Sequence, residues 1–249
     1  MSHIHIDVEN VSFGYEKGKE ILSQISFHAA ETDSIGIIGA NGMGKSTLLK
    51  LLAGLYPDYE GSIRVEEIPV EKSTLSQIRS KIGYVFQDSD SQLFMTTAYE
   101  DIAFAPRNYG LPESEVQRRV ELALQMTCTT HLKDKQIYKM SGGEKKLVSI
   151  ATILSMTPDI ILMDEPSIAL DPRNRRNLIH ILNSFNHLKI IASHDLDLIL
   201  DTCERTVLMA DGQIICDGPT QAILTDRELL ENNGLELPFC LQGKNIPFC

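Results

Sequence analysis

Residues Gly39 to Thr47 read Gly-Ala-Asn-Gly-Met-Gly-Lys-Ser-Thr, the spacing of a phosphate-binding loop. A short apolar run, Ser34 to Ile38, leads into it. Ser46 to Ala53 then has the leucine pattern of a helix that Gly54 ends. A phosphate-binding loop requires this order of strand, glycine-rich loop and helix, because loop and helix N–H groups together face the anion. The sequence therefore predicts an α/β nucleotide-binding fold.

A second glycine-rich turn, Ser141-Gly142-Gly143-Glu144, follows about one hundred residues later and is predicted to open a helix. The free N–H groups of that helix start make it a second candidate anion site. One triphosphate can use both loops only if they face each other. Their separation along the chain favours a second loop that serves the nucleotide of another copy.

Charge and composition exclude several classes of protein. The 249 residues carry a formal net charge of −11, whereas nucleic-acid binders usually present a basic surface. No apolar run approaches the roughly 18 residues of a membrane span, and residues 1–10 do not resemble a signal peptide. The five cysteines are scattered without a Cys-x-x-Cys pair, which favours buried or incidental thiols. We expect a cytosolic chain that does not bind nucleic acid.

Strand and helix patterns alternate along the chain without repeats. We predict one domain over residues 1–249, with an inserted helical subdomain at about 96–157 and a short C-terminal extension at about 226–249. The strand predictions cover residues 4–8, pieces within 11–28, pieces within 61–86, 160–163, 189–192 and a hairpin at 205–217. Within the helical part, Glu113 to Met126 has the apolar spacing of a helix.

Residue types in and after these elements predict phosphate chemistry. Glycines 39, 42 and 44 let the backbone turn tightly and point N–H groups at phosphate oxygens. Lys45 supplies a positive charge, and the Ser46 hydroxyl is a candidate ligand of Mg²⁺.

Polar residues follow three further apolar strands, where ligands bind in a parallel sheet. Asp164 is a candidate Mg²⁺ ligand, and Glu165 beside it a candidate base for an attacking water. His194 and Gln87 also follow strands, and the Gln87 amide could reach metal or water. The alternatives are a solvated acidic pair, a structural histidine and an incidental glutamine.

In this order and spacing the motifs resemble the ATP-binding-cassette (ABC) ATPase family over residues 3 to 225. The resemblance implies a P-loop fold with a mixed, mainly parallel sheet, an N-terminal antiparallel β subdomain and an inserted helical subdomain. It implies ATP and Mg²⁺ as ligands, with Tyr15 stacking on adenine, His194 holding the γ-phosphate and Gln87 linking nucleotide state to a transport partner. The residues that carry it are Tyr15, the loop from Gly39 through Asn41 to Thr47, Gln87, Ser141 to Glu144, Ile160 to Glu165, Ser167 to Asp171 and His194.

Three positions depart from the family pattern. Met140 stands where leucine is common, Glu144 where glutamine is common and Ser167 where threonine is common. By resemblance, residues 141–144 contact the γ-phosphate bound to the opposite protomer. A carboxylate at Glu144 is unfavourable near phosphate unless it points away.

A narrower resemblance rests on residues 85–94 and 104–111, which are similar to the ATPases of energy-coupling-factor importers of vitamins or transition-metal ions. Residues 141–146, 194–200 and 217–220 are similar to the cobalt/nickel members. This implies a peripheral subunit on the cytoplasmic face of the membrane, paired with a second ATPase protomer, identical or paralogous, and with integral membrane subunits.

Other functions stay open at this point. They are the ATPase of an energy-coupling-factor vitamin importer, of a conventional ABC importer or of an exporter; a soluble non-transport ABC protein; and a nucleotide-binding module without catalysis. For the importer we predict a membrane contact just after Gln87, in which Asp88 and Asp90 pair with arginines of the partner and Leu93-Phe94 form an apolar anchor.

Overall fold

Ten strands form two sheets among residues 4–16 and 18–242, which the computed structural model describes. The strands are β1 (His5–Phe13), β2 (Leu22–Ala30), β3 (Ser34–Ile38), β4 (Glu60–Val65), β5 (Ile68–Pro69), β6 (Ile82–Val85), β7 (Ile160–Asp164), β8 (Leu188–Ala192), β9 (Arg205–Ala210) and β10 (Gln213–Pro219). The helices are α1 (Lys45–Leu52), α2 (Leu75–Lys81), α3 (Ala98–Asn108), α4 (Glu113–Met126), α5 (Gly142–Leu154), α6 (Pro172–Ser184), α7 (Leu196–Thr202), α8 (Thr220–Thr225) and α9 (Arg227–Asn232).

The smaller sheet is antiparallel, with strand order β2-β1-β4-β5. Residues alternate along β1: Ile6 and Val8 are buried, while Asp7 and Glu9 face outward. This alternation gives the sheet one apolar face and one wet face, as antiparallel sheets permit. The predicted N-terminal antiparallel sheet is confirmed.

The larger sheet has six strands in the order β10-β9-β3-β8-β7-β6, and all neighbours except β10 and β9 run parallel. Every residue of β3, β6, β7 and β8 is buried, because helices cover both faces of the sheet. These four strands are neighbours, so their carboxyl ends meet along one edge. At those ends, or just after them, lie the phosphate loop, Gln87, the Asp164-Glu165 pair and His194.

The region predicted to be mainly helical holds α3, α4 and α5, which pack on one another between β6 and β7. The helix predicted over Glu113 to Met126 has those bounds in α4. Helix α5 begins at Gly142 with Ser141 as its N-cap, so the second glycine-rich turn does open a helix.

The prediction of strand pieces throughout residues 61–86 was wrong in part, because this stretch contains helix α2. Ile78 is the buried residue of α2. Because the apolar face of this helix is so short, its sequence pattern could not be distinguished from that of a strand. The Arg79 guanidinium donates to the Gly54 carbonyl oxygen at 2.9 Å, which ties α2 to the end of α1. An isolated helix of seven residues has only marginal stability in water. The contact with Gly54, which is distant in sequence, therefore helps to stabilise α2.

The predicted C-terminal extension begins with α9 and then returns along α7. The Asp197 carboxylate accepts hydrogen bonds from the N–H groups of Phe239 and Cys240, at 2.9 and 3.0 Å. The rest of that extension, with Cys249, lies outside the described residues. Burial raises the pKa of the Cys203 thiol to about 11, which accords with an unreactive core cysteine. No helix within residues 4–16 and 18–242 is long and apolar enough to cross a bilayer.

Candidate functional site

The phosphate loop joins the end of β3 to the start of α1, and two of its positions require glycine. Gly39 has φ 150°, and a Cβ there would overlap the Met209 carbonyl oxygen. Gly44 has φ 93°, and its Cβ would lie 2.6 Å from the Leu22 side chain. The loop can therefore hold this tight path only without side chains at these positions.

Lys45 lies at the first position of α1, and its side chain is folded over the loop. Its ammonium donates to the carbonyl oxygens of Gly39 and Ala40, at 2.8 and 3.0 Å. Burial lowers the pKa of Lys45, and the nearby carboxylates of Glu165 and Asp164 oppose that shift. A positive charge is thus held at the loop with the carboxylates of Glu165 and Asp164 close to it.

Asp164 ends β7 as a buried carboxylate between two hydroxyl donors. The Ser46 hydroxyl donates to Asp164 Oδ1 at 2.8 Å, and the Tyr84 hydroxyl to Oδ2 at 3.4 Å. Burial raises the pKa of Asp164, and the Ser46 bond opposes this. A hydroxyl and a carboxylate oxygen in contact form an oxygen-donor set that suits the hard cation Mg²⁺, so the residues fit the predicted metal.

Glu165 is held in a backbone conformation that side-chain-bearing residues seldom adopt, with φ 48°. Its N–H donates to the Ala192 carbonyl oxygen of β8 at 2.9 Å, which fixes the residue against the neighbouring strand. The side chain is 8% exposed. Strain of this kind at a strand end is typical of residues that a site must orient.

The carboxylate of Glu165 contacts the residues that follow β8. It accepts from the Ser193 hydroxyl at 3.1 Å and from the His194 N–H at 3.1 Å, and its Oε2 lies 2.8 Å from His194 Nδ1. The His194 ring is half exposed, so its contact with Glu165 leaves it reachable from the cleft. Glu165 and His194 thus form one unit, with Ser193 as a third member.

A cleft of about 530 Å³ brings most of the predicted residues together. Tyr15 borders the loop from outside this lining, with its hydroxyl 3.1 Å from Thr47 Oγ1 and its ring half exposed. The lining comprises Ile21, Asn41, Gly42, Met43, Gly44, Lys45, Ser46, Thr47, Gln87, Glu165, Ile168 and His194.

Residues 141–144 do not line that cleft. Gly142 instead borders a separate cavity of about 330 Å³, together with Gln87 and Ala169. Gly143 lies so close to Ala169 that a Cβ would be 3.0 Å from its carbonyl oxygen. Within one chain the second glycine-rich turn is therefore apart from the phosphate loop.

The Glu144 carboxylate is held at the start of α5 by groups of its own chain. It accepts from the Ser141 N–H at 2.8 Å, and the Ser141 hydroxyl accepts from the Glu144 N–H in return, which completes a capping box. The Lys135 ammonium pairs with the same carboxylate at 2.8 Å and holds the pKa of Glu144 below its usual range. The sequence suggested that the negative charge of Glu144 is unfavourable near phosphate. Lys135 of the same chain offsets that charge.

The acidic turn after Gln87 differs from the sequence prediction in two respects. Asp90 pairs with Lys145 of α5 at 2.6 Å, and the Asp88 carboxylate accepts from the Asp90 N–H at 3.0 Å, so both carboxylates have partners within the chain. Leu93 is buried in the core, whereas Phe94 is 65% exposed and packs edge-on against Phe104. The exposed apolar feature is therefore the pair Phe94 and Phe104.

Sequence reasoning missed three residues that support this site. They are Ser193 and Tyr84, which donate to Glu165 and Asp164, and Lys146, which lies behind Gln87. Lys146 shares the face of α5 that carries Ile150 and Ile153, so helical spacing already placed it inward. Ser193 and Tyr84 had no such signal, because an apolar strand gives no indication of which hydroxyl meets a carboxylate.

Comparison with known proteins identifies relatives along the whole chain. The family model described as ABC transporter matches residues 22–168. A putative ABC transporter ATP-binding protein of Geobacter sulfurreducens is 46% identical over 249 residues, covering 100% of this chain and 99% of the relative. The energy-coupling factor transporter ATP-binding protein EcfA of Carboxydothermus hydrogenoformans is 38% identical over 243 residues, covering 96% and 90%.

Solved structures share the same fold. CbiO1 of Clostridium perfringens, part of the ABC transporter complex CbiONQ, superposes with a TM-score of 0.81 at 33% identity, covering 93% of this chain and 94% of that one. The ATP-binding cassette MJ0796, a dimer in a post-hydrolysis state with ADP and Pi, has a TM-score of 0.80 at 25% identity, covering 86% and 98%.

Proposed function

This chain belongs to the ABC transporter family of ATP-binding proteins, and we propose that it is the ATP-hydrolysing subunit of an energy-coupling-factor importer. Members of the family are ATPases, and the fold here is that of an ABC cassette. The observation that carries the ATP-hydrolysing part of the proposal is the cleft in which Lys45, Glu165 and His194 meet at the end of the parallel strands.

The predicted residues in and beside the cleft have proposed parts in hydrolysis. Loop N–H groups and the Lys45 ammonium bind the phosphates, and Glu165 takes the proton of the attacking water. His194 orients Glu165 through the contact at Nδ1 and, with its other ring nitrogen, holds the γ-phosphate. Tyr15 supplies an aromatic face for adenine. Ser46, Asp164 and Gln87 would hold Mg²⁺, which when bound offsets the negative charge of the phosphates.

We further propose that the working unit is a head-to-tail dimer. Gly142 and Gly143 present N–H groups at the start of α5, yet they lie outside the cleft of their own chain. A second copy that places its α5 start over this cleft would complete the site. The partner is either an identical or a paralogous chain, since either supplies the same turn.

Glu165→Gln is expected to accumulate as a dimer with Mg-ATP, because slow hydrolysis leaves the γ-phosphate that joins the two chains. Sedimentation velocity measures this, with mainly monomer expected in the absence of nucleotide. The matched control adds Ser141→Arg, which places a bulky side chain at the exposed start of α5. That double variant should stay monomeric while still binding ATP. A Glu165→Gln variant that remains monomeric at high protein and ATP concentrations would contradict the shared site.

The importer class rests on two relatives rather than on the cleft. One relative is named as an energy-coupling factor ATPase and one solved neighbour as part of CbiONQ, and their similarity spans most of this chain. Residues 141–146, 194–200 and 217–220, which are similar to the cobalt/nickel members, support that type of importer. The chain would then lie on the cytoplasmic face of the membrane, bound to integral subunits that carry the cargo.

The exposed aromatic pair Phe94 and Phe104 is the proposed contact with those membrane subunits. The two rings lie 4.8 Å apart on the helical subdomain, a few residues after Gln87. An apolar protrusion this close to a nucleotide-contacting residue can report nucleotide state to a partner. Asp88 and Asp90 are not assigned this part, because Asp88 stabilises the turn and Asp90 pairs with Lys145 of α5.

Phe94→Ala is expected to lower co-purification with the membrane subunits about tenfold or more, because removing a buried aromatic anchor from an interface typically costs upwards of about 1–2 kcal/mol. ATP hydrolysis by the isolated chain should be unchanged. Tyr138→Ala is the control, since Tyr138 is also a highly exposed aromatic side chain. Normal assembly and uptake with Phe94→Ala would remove this pair from the interface.

Co-expression with the membrane proteins of neighbouring genes tests the function itself. Uptake of Co²⁺ or Ni²⁺ that requires Glu165 would support the proposal. Uptake of a vitamin instead would move the chain to the other energy-coupling-factor group. Dependence on a separate binding protein would indicate a conventional importer, and ATP hydrolysis without any membrane partner a non-transport protein.

A further inference from the structure

Lys146 is a lysine almost fully enclosed in the protein, with 2% of its surface exposed. It lies on α5, one turn after Gly142. Its ammonium donates to the carbonyl oxygens of Phe86 and Gln87, at 2.9 and 2.7 Å. Enclosing an ammonium is unfavourable unless its hydrogen bonds are made, so these two backbone contacts are what keep the charge in this position.

Two other side chains join the same segment, residues 86–92, to α5. The Gln92 amide accepts from the Phe86 N–H at 3.1 Å and donates to the Ser149 carbonyl oxygen at 2.7 Å. The Lys145 ammonium pairs with Asp90 at 2.6 Å. Segment 86–92 is therefore attached along its length to the helix that begins with the second glycine-rich turn.

Among these links, only Lys146 contacts the backbone of Gln87 itself. Carboxylates of Asp164, Asp88 and Glu165 lie close enough to oppose the lowering of the Lys146 pKa by burial. The ammonium of Lys146 thus lies behind the cleft, between the carboxylates of Asp164 and Glu165 and the backbone of α5, the helix that carries it. A residue in that position can set how far the Gln87 side chain reaches towards Asp164 and Glu165.

We propose that Lys146 is a positioning residue, which fixes the backbone of Gln87 relative to the catalytic carboxylates and makes segment 86–92 move together with α5. The proposal rests on the proposed ATPase function for its effect on rate. Its structural part, the attachment of the segment to α5, does not depend on that function. A shift of α5 that brings residues 141–143 towards another copy would carry Gln87 with it.

Lys146→Met tests the link, because methionine replaces the hydrocarbon part of the side chain and removes both hydrogen bonds. We expect the maximal rate of ATP hydrolysis to fall about 10- to 100-fold, as is typical when the residue that orients a ligand is removed. The KM for ATP should change much less, since the loop and Lys45 are untouched. Amide hydrogen exchange in residues 86–92 of the nucleotide-free protein should become faster.

Lys189→Met is the matched control for loss of a buried lysine. Lys189 is 8% exposed and donates to the Phe185 carbonyl oxygen at 3.4 Å, near the start of β8 and away from His194. It should lower thermal stability without changing exchange in segment 86–92 or the maximal rate. Equal losses of rate in both lysine variants would reduce Lys146 to a structural role and overturn the proposal.

A double-variant cycle with Gln87→Ala separates positioning from general packing. If Lys146 acts through Gln87, adding Lys146→Met to Gln87→Ala should lower the rate by less than about twofold further, because the side chain it positions is gone. Multiplication of the two single effects would overturn the proposal. Should the wild-type chain fail to hydrolyse ATP, the proposed function falls, and the exchange comparison alone decides whether Lys146 holds the segment: faster exchange supports it and unchanged exchange overturns it.

Discussion

Glu165→Gln should lower the rate of ATP hydrolysis about 10²-fold or more, a typical contribution of a positioned general base. The glutamine amide cannot take the proton of an attacking water. ATP binding should persist, since the phosphate loop and Lys45 do not depend on that carboxylate for their fold. The local structure should also persist, because the amide oxygen can still accept from the His194 N–H.

Phosphate release at saturating Mg-ATP measures the rate, and equilibrium binding of a labelled nucleotide measures affinity. Glu204→Gln serves as the control for loss of a carboxylate, since Glu204 lies at the opposite end of the parallel strands, before β9. Turnover of Glu165→Gln at the wild-type rate would remove Glu165 from its proposed role. If Glu165→Gln lost both ATP binding and turnover, the result would indicate a collapsed cleft rather than a missing base.

The residues of this site were predictable because each carries a local signal. The spacing of the glycines and the lysine between a strand and a helix predicts a phosphate loop. An acidic pair directly after an apolar strand likewise predicts a site at the strand end. The parallel order of the strands then brings Gln87, Glu165 and His194 to one cleft. Their roles remain predictions, whereas their proximity is a property of the fold.

Contacts between distant residues were beyond sequence reasoning. Asp88 and Asp90 were predicted to pair with arginines of a partner, because nothing in the sequence shows that Lys145 lies opposite Asp90 in space. The pairing of Glu144 with Lys135 was equally hidden, although the capping box itself follows from a serine three residues before a glutamate. Which residues form an ion pair depends on tertiary packing. A single sequence shows only which residues are close together along the chain.

Helix α2 shows the same limit for the fold. Leu75 and Ile78 are the apolar positions of its first turns, too few to distinguish a helix from the strand pieces around them. Other elements had no such ambiguity, since β3, β7 and β8 each contain one polar or charged residue in an otherwise apolar run and α4 repeats its apolar positions over 14 residues.

Lys45→Met should weaken ATP binding about 10- to 150-fold, which corresponds to loss of a hydrogen bond with a charged group worth about 1.5–3 kcal/mol. Among the described residues that line the cleft, Lys45 is the only lysine or arginine. Its removal leaves two carboxylates, Asp164 and Glu165, near the phosphates without the lysine charge that lines the cleft. Hydrolysis should fall at least as far when ATP is below saturation.

Lys45→Arg separates the effect of charge from that of geometry. Lys45 is 7% exposed, and its ammonium fits between the Gly39 and Ala40 carbonyl oxygens. A guanidinium keeps the positive charge but is planar and larger, so it cannot make the same two contacts without opening the loop. We expect affinity for ATP close to that of Lys45→Met, measured by the same equilibrium binding. Wild-type affinity in Lys45→Arg would mean that charge alone suffices and that the folded-over lysine does not shape the loop.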